Sequence, residues 1–341
     1  MYDLDLPALE ALVAQYGQPA YRASQVWQWL YAQQAASLDE MTNVPKVLRE
    51  QLRSVASVGV LERVDTVESP DGETRKDLLR LDDGETIETV LMRYDQRRTA
   101  CISTQVGCAA GCAFCATGQM GLRRNLTAGE IVAQAMHFAR LLRAQGERLS
   151  NVVLMGMGEP LLNYEASLAA IRRLTDPQGL AIGQRHVTLS TIGIAPGIER
   201  LAEEALQITL AVSLHAATDS LRNNLVPMNR RYNLDAVFEA CFRYIERTGR
   251  RVSFEWVLIE GVNDGPEQAQ ALAVRLKGML AHVNLIPLNP TLGYPGQPPS
   301  EHRITAFTNV LERHHVAYTL RVRRGIDIQA GCGQLRQRQS R

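Results

Sequence analysis

The 341-residue chain has almost no net charge, since 37 lysines and arginines face 36 aspartates and glutamates. A polybasic nucleic-acid carrier is excluded by that balance, although a local basic patch is not. Aromatic residues are scarce at 6%. No apolar run approaches the ~18 residues of a membrane span, and the opening MYDLDLPALEALV is acidic where a secretory signal carries positive charge. Neither secretion nor membrane contact is expected, and the reading is a cytoplasmic protein. Cysteine is also sparse: Cys101, Cys108, Cys112, Cys115, Cys241 and Cys332 are too few for a disulfide scaffold of this length. Present instead are 45% hydrophobic and 21% charged residues, a globular composition with enough chain for two domains.

Residues 1–55 read as a small helical domain, with turns at Gly17-Gln18-Pro19 and Asn43-Val44-Pro45. Trp27 and Trp29 are expected to pack it on its neighbour. From about residue 57 the period becomes two, and Pro70-Asp71-Gly72 and Asp82-Asp83-Gly84 mark hairpin turns. Residues 56–97 are therefore a β-hairpin extension. Thr127 and Glu130 form a capping-box pattern ahead of Ile131, Ala135, Phe138 and Leu142. Strands at 151–155, 186–191, 207–214, 252–259, 283–287 and 317–322 then alternate with helices. Such βα alternation predicts parallel strands in a full or partial barrel, with chemistry at the C-terminal strand ends. The core spans 98–323. Residues 324–341 form an arginine-rich tail.

Three cysteines fall within eight residues, Cys108-Ala-Ala-Gly-Cys112-Ala-Phe-Cys115. Three thiolates on a tight loop can hold three irons of a [4Fe–4S] cube and leave the fourth open. All-cysteine zinc sites usually pair two C-x2-C halves, and the sequence has no second half. With Phe114 before the third cysteine, the run resembles the radical S-adenosylmethionine (SAM) superfamily. Further segments resemble its Cfr/RlmN branch, which methylates an adenine in RNA: Gly156-Met157-Gly158-Glu159-Pro160, Ser190 to Gly193, Ser213-Leu214-His215, Asn284 to Pro290, Ile87-Glu88-Thr89-Val90, and Gly325 to Leu335. Gly331 departs from the branch's usual alanine.

The resemblance implies an α/β fold, a radical SAM partial (β/α)6 barrel. It implies a [4Fe–4S] cluster on Cys108, Cys112 and Cys115, and SAM contacts from Gly158, Glu159, Ser190, Ser213, Leu214, His215 and Asn289. It further implies that Cys332 takes a methyl from one SAM, and that a radical from a second SAM activates this S-methyl group. The methylene adds to the adenine, Glu88 removes the ring proton, and Cys101 releases the product by forming a Cys101–Cys332 disulfide. A radical route suits C2 or C8, which are electrophilic carbons. For Glu88 the plain alternative is a solvated strand glutamate, and Cys241 reads as a buried core thiol. The implied substrates are 23S rRNA at the peptidyl transferase centre and, for C2, the tRNA adenosine beside the anticodon. Candidate phosphate contacts are Arg123-Arg124, Arg230-Arg231 and the C-terminal arginines. A flavodoxin or ferredoxin is the implied electron donor, and the chain is read as a monomer. The alternatives are Cfr-like C8 methylation and a zinc-stabilised RNA-binding module.

Overall fold

The computed structural model describes residues 1–321 and 324–336; Arg323, Arg338 and Arg341 lie outside them. Helices α1 (Leu6–Gln15), α2 (Tyr21–Tyr31) and α3 (Lys46–Val55) open the chain. Asp5 caps α1, its carboxylate accepting the Ala8 amide at 2.8 Å. Trp27 is buried and its indole donates to Asp176 at 3.0 Å. That bond fastens the helical unit to the barrel, as expected for this tryptophan. Trp29 stays within the unit, donating to Asn43 at 2.6 Å.

Strands β1 (Glu62–Glu68), β2 (Thr74–Arg80), β3 (Thr86–Arg93) and β4 (Arg98–Cys101) form an antiparallel meander. It does not stand apart. Strand β4 pairs in parallel with β7 (Asn151–Leu154), so the meander continues the barrel sheet. A single strand over 99–105 is expected from the pattern, but the chain leaves the sheet after β4. The Gln134 amide accepts from Ser103 N at 2.8 Å and donates to Ser103 O at 2.9 Å, taking up the backbone groups a ladder would use. Strand β5 (Gln105–Gly107) then pairs with β6 (Leu122–Asn125) in a separate ribbon flanking the short α4 (Ala116–Gln119).

Helix α5 (Ala128–Arg143) starts with the expected capping box and buries Ile131, Ala135, Phe138 and Leu142. After β7 come α6 (Tyr164–Leu174), β8 (Val187–Thr191), α7 (Ala195–Ala202), β9 (Thr209–Ser213), α8 (Asp219–Leu225) and α9 (Leu234–Thr248). The series ends with β10 (Val252–Leu258), α10 (Pro266–Leu276), β11 (Ala281–Pro287), α11 (Glu301–Arg313) and β12 (Tyr318–Leu320). The ten-stranded sheet runs β1-β2-β3-β4-β7-β8-β9-β10-β11-β12, parallel from β4 onward. Six βα units and a closing strand make the expected partial barrel. Every residue of β10 is buried, because a central parallel strand is covered on both faces. No helix among the described residues is long and apolar enough to cross a membrane.

Candidate active site

The cysteine loop leaves β5 and ends at Cys115, the residue preceding α4. Its backbone is anchored at two points, Cys108 N to Gly121 O at 2.9 Å and Ala113 N to Leu225 O at 2.9 Å. A Cβ on Gly118 would lie 2.8 Å from Cys112 N, so only glycine lets α4 close on the loop. All three thiols line one cavity of about 150 Å³ at the C-terminal ends of the strands. Burial pushes Cys108 up to about 12 and Cys112 well above the ordinary thiol value. Among the described residues, no three His, Cys, Asp or Glu side chains are placed to hold a single metal ion. Three sulfurs around a shared space suit a cluster, which takes one sulfur on each of three irons.

Opposite the loop, the turn after β7 carries Glu159. Gly158 has φ +104°, and a Cβ there would lie 2.6 Å from Gln105 Cβ. Glu159 is only 2% exposed. Its carboxylate accepts Leu161 N at 3.0 Å and Ile192 N at 2.8 Å, yet burial still pushes it up to about 7. A cationic amino group in this cavity would offset that cost. Ser190, next to last in β8, and Ser213, last in β9, have their hydroxyls 3.5 Å apart. His215 sits in the left-handed region at φ 61°. Its Nδ1 accepts Val257 N at 3.0 Å, leaving the other ring nitrogen to carry the proton. Burial and then Arg222 push it down to about 3, so the ring is neutral. Glu159, Ser190, Ser213 and His215 all line the cysteine cavity. Leu214 is fully buried and lines neither this cavity nor the next; its N–H donates to Glu255 O at 2.9 Å.

A second cavity, of about 230 Å³, lies further inside the barrel and holds Cys101, Asn289 and Cys332. Cys332, with Met155, Glu255 and Ile286, lines both spaces and so forms part of the wall between them. Cys332 is an exposed residue overall and lines both cavities; burial, followed by the Glu255 charge, pushes its thiol up to about 11. Burial raises Cys101 as well, with Cys332 the next cause. All six cysteines are free thiols, so no Cys101–Cys332 disulfide is present. Asn289 lies on the Cys332 side, donating to its carbonyl at 3.2 Å. Glu88 lines neither cavity. It is 1% exposed, ion-paired with Lys76 at 3.1 Å, and accepts the Arg336 amide at 2.8 Å. A solvated strand glutamate is thereby ruled out.

Of the buried charges that the sequence reading did not single out, two bear on this site. Arg222, on α8, donates to Leu214 O at 3.0 Å, Ile192 O at 2.5 Å and Asn229 at 2.8 Å. It ties together the strand ends that carry the polar residues. Glu255 faces both cavities and accepts the Asn284 amide at 2.7 Å. Its signal was legible: one carboxylate in the apolar run Val-Ser-Phe-Glu-Trp-Val-Leu.

Residues 102–273 match the family model of the radical SAM superfamily, and residues 1–58 that of the ribosomal RNA large subunit methyltransferase N-terminal domain. The dual-specificity RNA methyltransferase RlmN 1 of Myxococcus xanthus is 55% identical, over 98% of this chain and 94% of its own. The chain belongs to the RlmN family of radical SAM RNA methyltransferases. The ribosomal RNA large subunit methyltransferase N of Nitrosopumilus maritimus, another member, is 46% identical over 98% of both chains. The crystal structure of a radical SAM methyltransferase from Sphaerobacter thermophilus superposes with a TM-score of 0.96, at 52% identity over 98% of both chains. The radical SAM match takes in Cys108, Cys112, Cys115, Glu159, Ser190, Ser213 and His215, whereas Ile286, Cys332 and Gly333 of the same cavity lie beyond it.

Proposed function

We propose that this chain methylates C2 of an adenine in 23S rRNA, and of the adenosine beside the anticodon in tRNA, through a methyl-Cys332 intermediate and a transient protein–RNA adduct. The observation that carries the reading is the place of Cys332 in the wall between two cavities. Cys108, Cys112 and Cys115 would hold the [4Fe–4S] cluster on one side. Gly158, Glu159, Ser190, Ser213 and His215, which line the same cavity, would hold SAM, with Glu159 receiving its amino group; Asn289 lines the other cavity and Leu214 neither, so these two would support the SAM site from outside that lining. When bound, the cluster supplies the electron that splits SAM to a 5′-deoxyadenosyl radical. Cys332 carries the methyl, and the second cavity, which touches both Cys332 and Cys101, receives the adenine.

Once the adduct has given its unpaired electron back to the flavodoxin or ferredoxin partner and the ring proton has been removed, the Cys101 thiolate attacks the Cys332 sulfur: the S–S bond forms, the S–CH2 bond breaks, and the methylene takes up a proton to become the methyl group. Glu88 is the base that takes the ring proton. The second cavity is also lined by Arg97, Arg321 and Arg324; Arg324 is ion-paired with Glu73, which leaves Arg97 and Arg321 to meet the phosphates of a flipped-out nucleotide. By contrast, Arg123 is paired with Glu85 at 2.8 Å and Arg124 with Glu130 at 2.8 Å. That pairing makes them weaker candidates for RNA than the sequence suggests. The reading includes a flavodoxin or ferredoxin as electron donor, a cytoplasmic monomer, and division into 1–55, 56–97, 98–323 and 324–341.

The test is anaerobic turnover of the iron-loaded protein on rRNA and tRNA, followed by mass mapping of the nucleosides. 2-Methyladenosine is expected. 8-Methyladenosine would overturn the regiochemistry, and a colourless zinc protein without methyl transfer would favour an RNA-binding module.

A further inference from the structure

Lys76 and Glu88 lie diagonally across β2 and β3, where Lys76 faces Val90 and Leu78 faces Glu88. Alternation along paired strands brings such diagonal side chains within reach of each other. Their charged ends meet at 3.1 Å, with side-chain exposures of 3% and 1%. A buried ion pair is seldom a net source of stability, so a pair in this position calls for another account.

Both partners also hold the segment that carries Cys332. Lys76 Nζ donates to Gln329 O at 2.9 Å. Glu88 Oε2 accepts Arg336 N at 2.8 Å. One chain of contacts, Gln329–Lys76–Glu88–Arg336, therefore closes the neck of a loop whose tip is Cys332. The tip is held separately, through Ala116 N to Gly333 O at 2.7 Å and Thr117 Oγ1 to Leu335 O at 2.5 Å. Leu335 lines the second cavity next to this neck.

We propose that the Lys76–Glu88 pair is a clamp on the neck of the Cys332 loop, so that parting the neck and uncovering Glu88 are a single event. Lys76 is then a positioning residue. It fixes Cys332 between the two cavities and keeps the Glu88 carboxylate covered until the neck opens. Uncovering matters to the reaction only if Glu88 is the base proposed above; the clamp itself needs no such role.

The experiment uses the full-length, iron-loaded protein without SAM or RNA. Peptide-resolved mass spectrometry follows iodoacetamide labelling of Cys332 and hydrogen exchange of the 329–336 amides, with Cys241 as a core control. Lys76→Met is expected to speed Cys332 labelling by about tenfold and to loosen the 329–336 amides, leaving Cys241 unchanged. Lys76→Met/Glu88→Leu removes both charges of the pair together, so it covers the case in which the single variant does not fold. It is expected to show the same loss of protection. Wild-type labelling and exchange in the folded variants would overturn the clamp, as would an equal rise at Cys241, which would signal general loosening. Neither readout requires turnover. Wild-type methylation by Glu88→Gln would therefore remove the base assignment while leaving the clamp standing.

Discussion

At the scale of single residues, the site is governed by burial, which raises the pKa values of its thiols and of the Glu159 carboxyl. Cys332 is pushed up to about 11 and Glu159 up to about 7, both chiefly by loss of water. Cys101 and Cys332 face one cavity as free thiols, and their proposed roles separate in time. Cys101→Ala should accumulate a protein–RNA adduct, seen as a nuclease-sensitive shift on a denaturing gel. Cys332→Ala should show none. The opposite pattern would exchange the roles. Glu159→Gln removes the charge that would meet the SAM amino group, while the three cluster cysteines stay in place. SAM affinity should fall roughly 10- to 100-fold, the worth of one hydrogen bond to a charged group, with iron content unchanged. Equal affinity by titration would discard this contact.

At the scale of elements, short polar pieces organise the ends of long apolar ones. Helix α8 has seven residues, Asp-Ser-Leu-Arg-Asn-Asn-Leu, too few and too polar to show a helical period. Yet it carries Arg222 to three strand-end carbonyls. On β2, Asp77 points away from Lys76 and joins the meander to α5, accepting from Thr66 at 2.7 Å and Arg75 at 3.0 Å and contacting His137 at 2.6 Å. Burial alone would raise its pKa, but these hydrogen bonds outweigh it and hold the carboxyl below its usual value. A lowered pKa adds stability above the unfolded value near 4, and that stability fades as pH falls through the folded value. Asp77→Asn should therefore destabilise the protein by roughly 2–4 kcal/mol at pH 7. In urea titrations the gap should narrow towards pH 3. A gap independent of pH would show that packing, not charge, sets the cost.

For the molecule as a whole, near-neutral composition conceals an uneven surface. Arg97 and Arg321 are exposed at the mouth of the second cavity, Arg97 lying 4.1 Å over the Tyr94 ring. Most basic side chains near the meander are already matched, as Arg124 is by Asp83 and Glu130. Replacing Arg97 and Arg321 together with Ala should weaken RNA binding at low salt and lower the log–log salt slope by about 1.4, at ~0.7 per charge on single strands. The comparable Arg123→Ala/Arg124→Ala change should alter the slope less. An equal or larger effect from that pair would move the RNA path to the β5–β6 ribbon.

What the sequence by itself determined is whatever acts through neighbouring backbone. The C-x3-C-x2-C spacing, the Thr127–Glu130 capping box, the turn glycines and the βα alternation each need only a few consecutive residues, and each recurs in the structure. The packing of Trp27 was legible for the same reason: a large apolar ring must be buried somewhere. Tertiary structure alone decided which distant groups share a space. Closing the barrel sheet from β4 to β12 brings Cys332 to Cys101 across more than 200 residues. It turns Glu255 inward, and it leaves Arg97 without the carboxylate partner that Arg124 has among the described residues. It also seals Glu88 under Lys76 and Arg336. Those outcomes depend on register and side-chain direction across strands, and on how far burial strengthens each charge. Spacing along the chain carries neither quantity.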